Sequence, residues 1–347
     1  MAKEIELKLR LATESTEQLA GWLDQHAVAG RQSKLLNDYY DTPNLALARL
    51  RAALRIRTSE DGYEQTLKTR RASEAAVQVR NEWNWRLRDN ALNHDLLRSD
   101  KVGDQWPVDA DMSELEVVFS TNFRRRRWIW KHEDAEVEVV IDQGEIQAND
   151  QLQPLCETEL EVVVGHAESL WGLLEQMQQQ AALWLSDVSK AERGYRLAGV
   201  AQLLDNNEDD APSQADSTAE VMTNALFDFQ RACEGVVWDK QNIQSIWLAG
   251  YPLWCLLPEQ ERAPLTHLLC ELSAGTQTEQ QESISLAVDL TSITRSVAQM
   301  STESQLSVRE CSATLAEARR QVLDMIECIK TDNITNPISE LLTLIRD

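Results

Sequence analysis

The sequence predicts an α+β protein, with an antiparallel β-sheet in the first part of the chain and an all-α region in the second. Residues 1–200 alternate between polar and apolar side chains in many short segments, which is the period of half-buried strands. Residues 218–347 repeat apolar side chains three and four positions apart, which is the period of amphipathic helices. Residues 201–217 between them are polar and acidic, so we predict two domains, 1–200 and 218–347, joined by a linker.

The individual elements follow from the same two periods. Strands are predicted where the alternation is regular, at residues 4–10, 53–57, 65–68, 79–85, 136–142 and 157–161. Helices are predicted at residues 15–26, 167–180, 219–238, 243–257, 263–272 and 305–329. We expect the fourth of these helices to be interrupted at residues 250–252, where a glycine and a proline occur, and a last helix to begin at Asn336 and Pro337.

Composition excludes several classes of protein. The 347 residues carry 34 Lys and Arg against 57 Asp and Glu, a formal net charge of −23, and so acidic a surface repels nucleic-acid backbones. No apolar run is long enough for a membrane span, and the charged N-terminus does not resemble a signal peptide. The six cysteines are isolated, which is typical of reduced thiols and not of zinc clusters or disulfide scaffolds. We therefore expect a cytoplasmic protein that binds neither nucleic acid nor membrane.

The polar face of the predicted strands is charged at almost every alternate position. Charged residues that share a face include Glu4, Glu6 and Lys8, Arg55 and Arg57, Arg80 and Glu82, Arg125 and Arg127, Glu138 and Asp142, and Glu157, Glu159 and Glu161. Two arrangements fit this pattern: a flat sheet with one solvated face, or a closed or nearly closed barrel with the charges inside. Trp83, Trp85, Trp128 and Trp130 lie in the apolar phase and favour helices that cover the outside of such a barrel.

A charged interior requires compensation. At an effective dielectric constant near 20, two like charges ~4 Å apart repel by roughly 4 kcal/mol. A polyanion held by the bases, together with divalent cations held by the acids, would balance both kinds of charge. Carboxylate pairs offer the all-oxygen ligation that suits Mg²⁺ or Mn²⁺, and Arg provides bidentate donors for phosphate.

The ordered set of charged motifs resembles the CYTH domain of the triphosphate tunnel metalloenzymes. The first motif, Glu4-Ile-Glu6-Leu-Lys8, is similar to the ExExK motif of that family. The others follow in order and are Leu-Arg55-Ile-Arg57, Thr-Leu-Lys68, Arg80-Asn-Glu82, Arg125 with Arg127, Ile-Asp142-Gln-Gly144, Glu157-Thr-Glu159-Leu-Glu161 and Ser189-Lys190-Ala-Glu-Arg-Gly-Tyr195. The resemblance implies an eight-stranded antiparallel β-barrel that encloses a tunnel.

The resemblance also implies roles for individual residues. The implied metal ligands, for two Mg²⁺ or Mn²⁺ ions, are Glu4, Glu6, Asp142, Glu157 and Glu159. The implied triphosphate-binding residues are Lys8, Arg55, Arg57, Lys68, Arg125, Arg127 and Lys190, with Glu82 as an acidic tunnel residue. Of these, Glu4, Glu6, Lys8 and Lys68 are the implied catalytic residues.

The resemblance implies hydrolysis of tripolyphosphate to pyrophosphate and phosphate, as in bacterial inorganic triphosphatases that combine a CYTH with a CHAD domain. Three alternatives stay open: a non-catalytic polyphosphate or nucleotide sensor, a hydrolase of thiamine triphosphate or nucleoside triphosphates, and a class IV adenylate cyclase. Residues 218–347 are shorter and more acidic than a CHAD domain. They are either a reduced CHAD-like domain or an unrelated helical domain, and a homodimer is a further open alternative.

Overall fold

The computed structural model describes residues 5–50, 52–70, 80–99, 102, 106, 110–186, 188–200, 217–239, 244–274, 280–303, 307–331 and 345. Three predictions therefore lie wholly or largely outside the described residues. They concern Glu4, the linker apart from Ser217, and the helix that begins at Asn336.

Ten strands form one antiparallel sheet, and the alternation of polar and apolar residues assigns each strand its two faces. The strands are β1 (Glu6–Leu11), β2 (Val28–Ala29), β3 (Ser33–Asp41), β4 (Ala53–Ser59), β5 (Gly62–Arg70), β6 (Arg80–Leu87), β7 (Glu116–His132), β8 (Ala135–Ala148), β9 (Gln151–Val164) and β10 (Leu183–Leu185). Their order across the sheet is β10-β1-β9-β8-β7-β3-β4-β5-β6, and β2 pairs with β7.

Among the described residues, ten α-helices accompany the sheet. They are α1 (Thr16–His26), α2 (Ala46–Arg49), α3 (His94–Leu97), α4 (Glu168–Gln178), α5 (Lys190–Tyr195), α6 (Thr218–Asp239), α7 (Gln244–Leu256), α8 (Ala263–Ala274), α9 (Gln280–Glu303) and α10 (Val308–Thr331). Three short 3-10 helices (Thr13–Ser15, Met112–Glu114 and Glu259–Glu261) and a π-helical turn (Arg196–Val200) complete the described elements. The predicted fold class, an antiparallel sheet followed by helices, is confirmed. Within the described part of the chain, no helix combines the length and hydropathy that a bilayer crossing requires.

Three details differ from the prediction. The described sheet has ten strands and not eight, because the short strand β2 pairs with β7 and the short strand β10 pairs with β1. The described strands β6 and β10 at its two edges do not pair, so the sheet is not closed into a complete barrel. Helix α7 runs without interruption through Pro252, because Gly250, Tyr251 and Pro252 are buried and their packing outweighs the missing hydrogen bond. Strand β3 and helix α9 are missing from the predicted elements.

The sheet is strongly curved around its charged face. Glu159 on β9 and Lys68 on β5 are five strand positions apart in the sheet order, which in a flat sheet would separate them by about 24 Å. Nevertheless, the positive charge of Lys68 contributes to lowering the pKa of Glu159, which requires that the two side chains face each other at short range. The charged face is therefore the concave interior of a barrel-like sheet, and the flat, solvated alternative is wrong.

Helices cover the apolar, convex face. One hydrophobic cluster combines strand residues such as Leu9 and Trp128 with residues from the C-terminal helices such as Phe229 and Trp247. Gln178 of α4 adds polar contacts, because its Nε2 donates hydrogen bonds to the Ala287 carbonyl at 3.1 Å and to Thr291 Oγ1 at 2.8 Å. The helices of residues 218–331 thus pack directly on the sheet, while independent folding of the two predicted domains stays a prediction.

Helix α5 packs against strands β7 and β8 beside the concave interior. Its Tyr195 packs edge-on against Phe119 at 5.0 Å between ring centroids, and the Tyr195 hydroxyl donates a hydrogen bond to buried Asp41 at 2.8 Å. Gly194 allows this close approach, because a Cβ at that position would lie 2.1 Å from the Phe119 ring. The same helix begins at Lys190, and its position therefore decides where that ammonium lies.

The first prediction concerns this contact. Gly194→Ala should lower the free energy of unfolding by about 1–3 kcal/mol, because the added methyl group overpacks the Phe119 contact. Gly172→Ala on the exposed side of α4, where a Cβ meets nothing within 4 Å, should instead raise it by up to about 1 kcal/mol. Urea denaturation of both variants measures the difference, and equal effects of the two substitutions would show that α5 is not tightly packed.

Candidate functional site

Strand register brings the charged residues of β1, β9 and β8 into rows on the concave face. In an antiparallel pair, residues directly opposite each other point to the same side. The register produces three such rows, which are Glu6 with Glu161 and Glu138, Lys8 with Glu159, and Arg10 with Glu157 and Asp142.

Three carboxylates form a compact cluster in this interior. Asp142, Glu157 and Glu159 each offer an oxygen atom within 4.8 Å of the others, and Asp142 and Glu157 are almost completely buried. The Lys190 ammonium lies among them, 2.8 Å from Asp142 Oδ2 and 3.1 Å from Glu159 Oε1, and it also donates a hydrogen bond to Glu157. A cation therefore already occupies the middle of an all-oxygen donor set, and the same donor set fits a divalent cation such as Mg²⁺ or Mn²⁺.

Arg125 holds two members of this cluster in place. Its Nε and Nη2 donate to the two oxygens of Asp142 at 2.7 and 2.6 Å, and Nη2 also donates to Glu159 at 3.0 Å. Burial alone would raise the pKa of Glu159, but the charges of Lys190 and Lys8 outweigh it, so this pKa lies well below its usual range. Both Asp142 and Glu159 have lowered pKa values and are therefore anionic at neutral pH.

A cluster of guanidinium groups lies next to the carboxylates. Burial, together with the adjacent charges of Arg55 and Arg125, lowers the pKa of Arg57 to about 9. Arg57 Nε donates to Asn37 Oδ1 at 2.8 Å, whereas the buried Arg55 Nε has no hydrogen-bond partner among the described residues. Arg57 is thus a partly buried cation whose surroundings hold too little negative charge, and a bound anion would supply that charge.

Lys68 and Glu82 form an ion pair on the opposite wall of the interior. The Lys68 Nζ lies 2.5 Å from Glu82 Oε2 across the β5–β6 pair. Burial would raise the pKa of Glu82, but the charges of Lys68 and then Arg55 outweigh it and lower the pKa to about 2. Glu82 is therefore anionic and orients Lys68 toward the interior.

The row of Glu6, Glu161 and Glu138 lies farther from α5. Burial, followed by repulsion from Glu6 and Glu138, raises the pKa of Glu161. Glu6 accepts a hydrogen bond from Lys8 Nζ at 2.5 Å, and among the described residues it does not belong to the three-carboxylate cluster. Arg127 lies 3.1 Å from Glu138 and is half exposed, so this end of the interior is the more open one.

Most of the predicted site residues therefore lie together. The concave interior contains Glu6, Lys8, Arg55, Arg57, Lys68, Glu82, Arg125, Asp142, Glu157, Glu159 and Lys190. Arg127 lies at the more exposed end, and Glu4 lies outside the described residues. Their individual roles in binding and catalysis stay predictions.

Sequence reasoning missed three residues of the site. Tyr39 on β3 shares a hydrogen bond with Arg55. Burial would raise the pKa of Tyr39, but the positive charges of Arg55 and Arg57 outweigh the effect of burial and lower this pKa. Asn37 lies two residues earlier on the same face, and the alternation of residues 35–41 could have identified both. Arg193, one turn after Lys190 on α5, lies 3.0 Å from Glu157 and could have been found from that spacing.

Comparisons with known proteins agree with this arrangement. Residues 2–195 match the CYTH domain family. An inorganic triphosphatase from Haemophilus influenzae is 32% identical over 207 residues, which cover 59% of this chain and 58% of that relative, so the match spans little more than half of its length.

Among solved structures, one similar protein is a putative adenylyl cyclase from Hippeastrum, which is reported to have a dominant triphosphatase activity. It is 23% identical to this chain and has a TM-score of 0.42. The match covers 56% of this chain and 95% of that protein. A putative adenylate cyclase from Bacillus halodurans is 19% identical with a TM-score of 0.35, over 52% of this chain and 90% of its own.

The second prediction concerns Arg57. Arg57→Gln should raise the free energy of unfolding of the ligand-free protein by about 1 kcal/mol, because it removes a partly buried and poorly compensated charge. The same substitution should weaken tripolyphosphate binding, since it removes a cation from the interior. Urea denaturation and calorimetric titration with tripolyphosphate measure the two effects, and a loss of stability together with unchanged binding would contradict the interpretation.

Proposed function

This chain belongs to the CYTH domain family, and from that premise we propose that it is a metal-dependent inorganic triphosphatase that cleaves tripolyphosphate into pyrophosphate and phosphate. The observation that carries the proposal is the contact between the three-carboxylate cluster and the guanidinium cluster within one concave interior. The name of the Haemophilus influenzae relative, an inorganic triphosphatase, supports the choice of substrate.

The basic residues would bind the phosphates of the substrate. Arg55 and Arg57 would offer planar donors to phosphate oxygens, and Arg125, Lys8 and Lys68 would contribute positive charge from the surrounding walls. A bound triphosphate would supply the negative charge that the surroundings of Arg57 lack. Binding energy would therefore come mainly from charge neutralisation in a buried site.

The acidic cluster would hold the metal. Asp142, Glu157 and Glu159 are the residues that would coordinate Mg²⁺ or Mn²⁺, and Glu6 and Glu4 are proposed as further ligands of a second ion. Such ions, when bound, neutralise charge on the phosphate oxygens and lower the pKa of bound water. The chain's own residues hold the substrate in position and keep Asp142 and Glu159 ionised.

Lys190 links the two kinds of binding. Its ammonium now lies among the oxygens that would coordinate the metal, so it must leave them when a divalent cation binds. The phosphate oxygens of a triphosphate would provide its new counter-charge. Metal and substrate should therefore bind more tightly together than either does alone.

The third prediction tests this function. Purified protein with Mg²⁺ or Mn²⁺ should release phosphate from tripolyphosphate, and Glu159→Gln should lower kcat by about 100-fold or more, because it removes a metal-ligand charge. Glu17→Gln is the matched control, since Glu17 pairs with Arg126 outside the interior and is highly exposed. Its activity should equal that of the wild type.

A substrate panel separates the alternatives. Absence of turnover with every divalent metal, together with tight tripolyphosphate binding, would indicate a sensor and overturn the enzyme proposal. Faster hydrolysis of thiamine triphosphate or ATP than of tripolyphosphate would overturn the substrate. Formation of cyclic AMP from ATP, detected by chromatography, would indicate a cyclase.

A further inference from the structure

A glutamate of the C-terminal helices lies behind the carboxylate cluster. Glu234 of α6 is buried, and its Oε1 accepts a hydrogen bond from Arg10 Nη1 at 2.7 Å while its Oε2 accepts one from the Ser186 hydroxyl. Arg10 is the β1 residue opposite Glu157 in the strand register. The side chain of Glu234 therefore lies close to the row of Arg10 and Glu157, although it is distant from the sheet in sequence.

Arg193 of α5 connects Glu234 to the cluster. Its Nη2 lies 3.0 Å from Glu157 Oε2 and its Nε lies 3.8 Å from Glu234 Oε1, so one buried guanidinium is shared by two carboxylates. Arg193 Nε and Nη1 and Glu157 Oε2 make no geometrically sound hydrogen bond with the described residues. The charges of Glu157 and Glu234 therefore both act on the position of Arg193.

We propose that Glu234 is a positioning residue, through which the C-terminal helices hold Arg193 and thereby leave Glu157 available as a metal ligand. This inference rests on the proposed function, because it assigns a task to Glu234 in the same site. Without the charge of Glu234, Arg193 has Glu157 as its nearest counter-charge and competes with the metal for that carboxylate. Because all three side chains are buried, solvent compensates little for the lost charge.

A second ion pair between the same two helices provides a matched control. Arg231 of α6 lies 3.1 Å from Glu192 of α5, but Glu192 is otherwise paired with Arg196 at 3.2 Å and not with the carboxylate cluster. Arg231→Gln therefore removes an α5–α6 charge contact that includes neither Arg193 nor Glu157. An effect of Glu234→Gln that Arg231→Gln lacks cannot come from weaker helix packing alone.

The fourth prediction follows from this difference. Calorimetric titration with Mn²⁺ should show about tenfold weaker binding for Glu234→Gln, the size of effect that partners of metal ligands commonly have, and less than twofold for Arg231→Gln. In activity assays, the Mg²⁺ concentration for half-maximal rate should rise by the same factor in Glu234→Gln. Equal Mn²⁺ affinities of the two variants would overturn the proposal.

Two further measurements keep the test decisive. If Glu234→Gln does not fold, Ser186→Ala replaces it, because it removes one hydrogen bond from the Glu234 carboxylate and should weaken Mn²⁺ binding about threefold. If the wild type neither binds Mn²⁺ nor cleaves tripolyphosphate, the proposed function fails. The role of Glu234 in positioning Arg193 is then tested separately by hydrogen–deuterium exchange. Exchange of residues 190–196 should be faster in Glu234→Gln than in Arg231→Gln, and equal rates would refute it.

Discussion

The structure depends on the burial of opposite charges on one concave face of a sheet. Burial of a carboxylate or a guanidinium is costly unless a partner of opposite charge is close, and most of the groups on this face have one. Lys190 is shared by three carboxylates, and Arg125 holds Asp142 with two hydrogen bonds. The compensation is incomplete at Arg57, where the pKa falls to about 9, and this deficit of negative charge is what an anionic substrate would fill.

The apolar face and the helices make this arrangement possible. Curvature of the sheet brings Lys68 close to Glu159. A curved sheet has an apolar convex face that must be covered, and α1, α4 and the C-terminal helices cover it by joining one hydrophobic cluster. Helix α5 packs on the sheet through Gly194 and Tyr195, and its Arg193 lies 3.8 Å from Glu234 of α6. The C-terminal helices are therefore connected to the site by charge as well as by packing.

Much of this could be predicted from the sequence, because strand alternation is a local property. Residues 136–142 and 157–161 showed which side chains share a face, and the structure places them in register on β8 and β9. The apolar spacing of residues 286–297 would also have revealed α9. The continuity of α7 and the pairing of Arg10 with Glu234 could not be predicted, because both depend on contacts between distant segments. The location of Lys190 among the carboxylates likewise depends on how α5 packs.

In the proposed function, the metal replaces Lys190 among the carboxylates, and the triphosphate supplies the counter-charge that Lys190 then lacks. The binding of the metal and the binding of the triphosphate are therefore coupled. Calorimetric titration of the wild-type protein with tripolyphosphate, in the absence and the presence of saturating Mn²⁺, tests it most directly. Saturating Mn²⁺ should tighten tripolyphosphate binding by about tenfold or more. By linkage, tripolyphosphate should tighten Mn²⁺ binding by the same factor. Equal tripolyphosphate affinities under both conditions would contradict it.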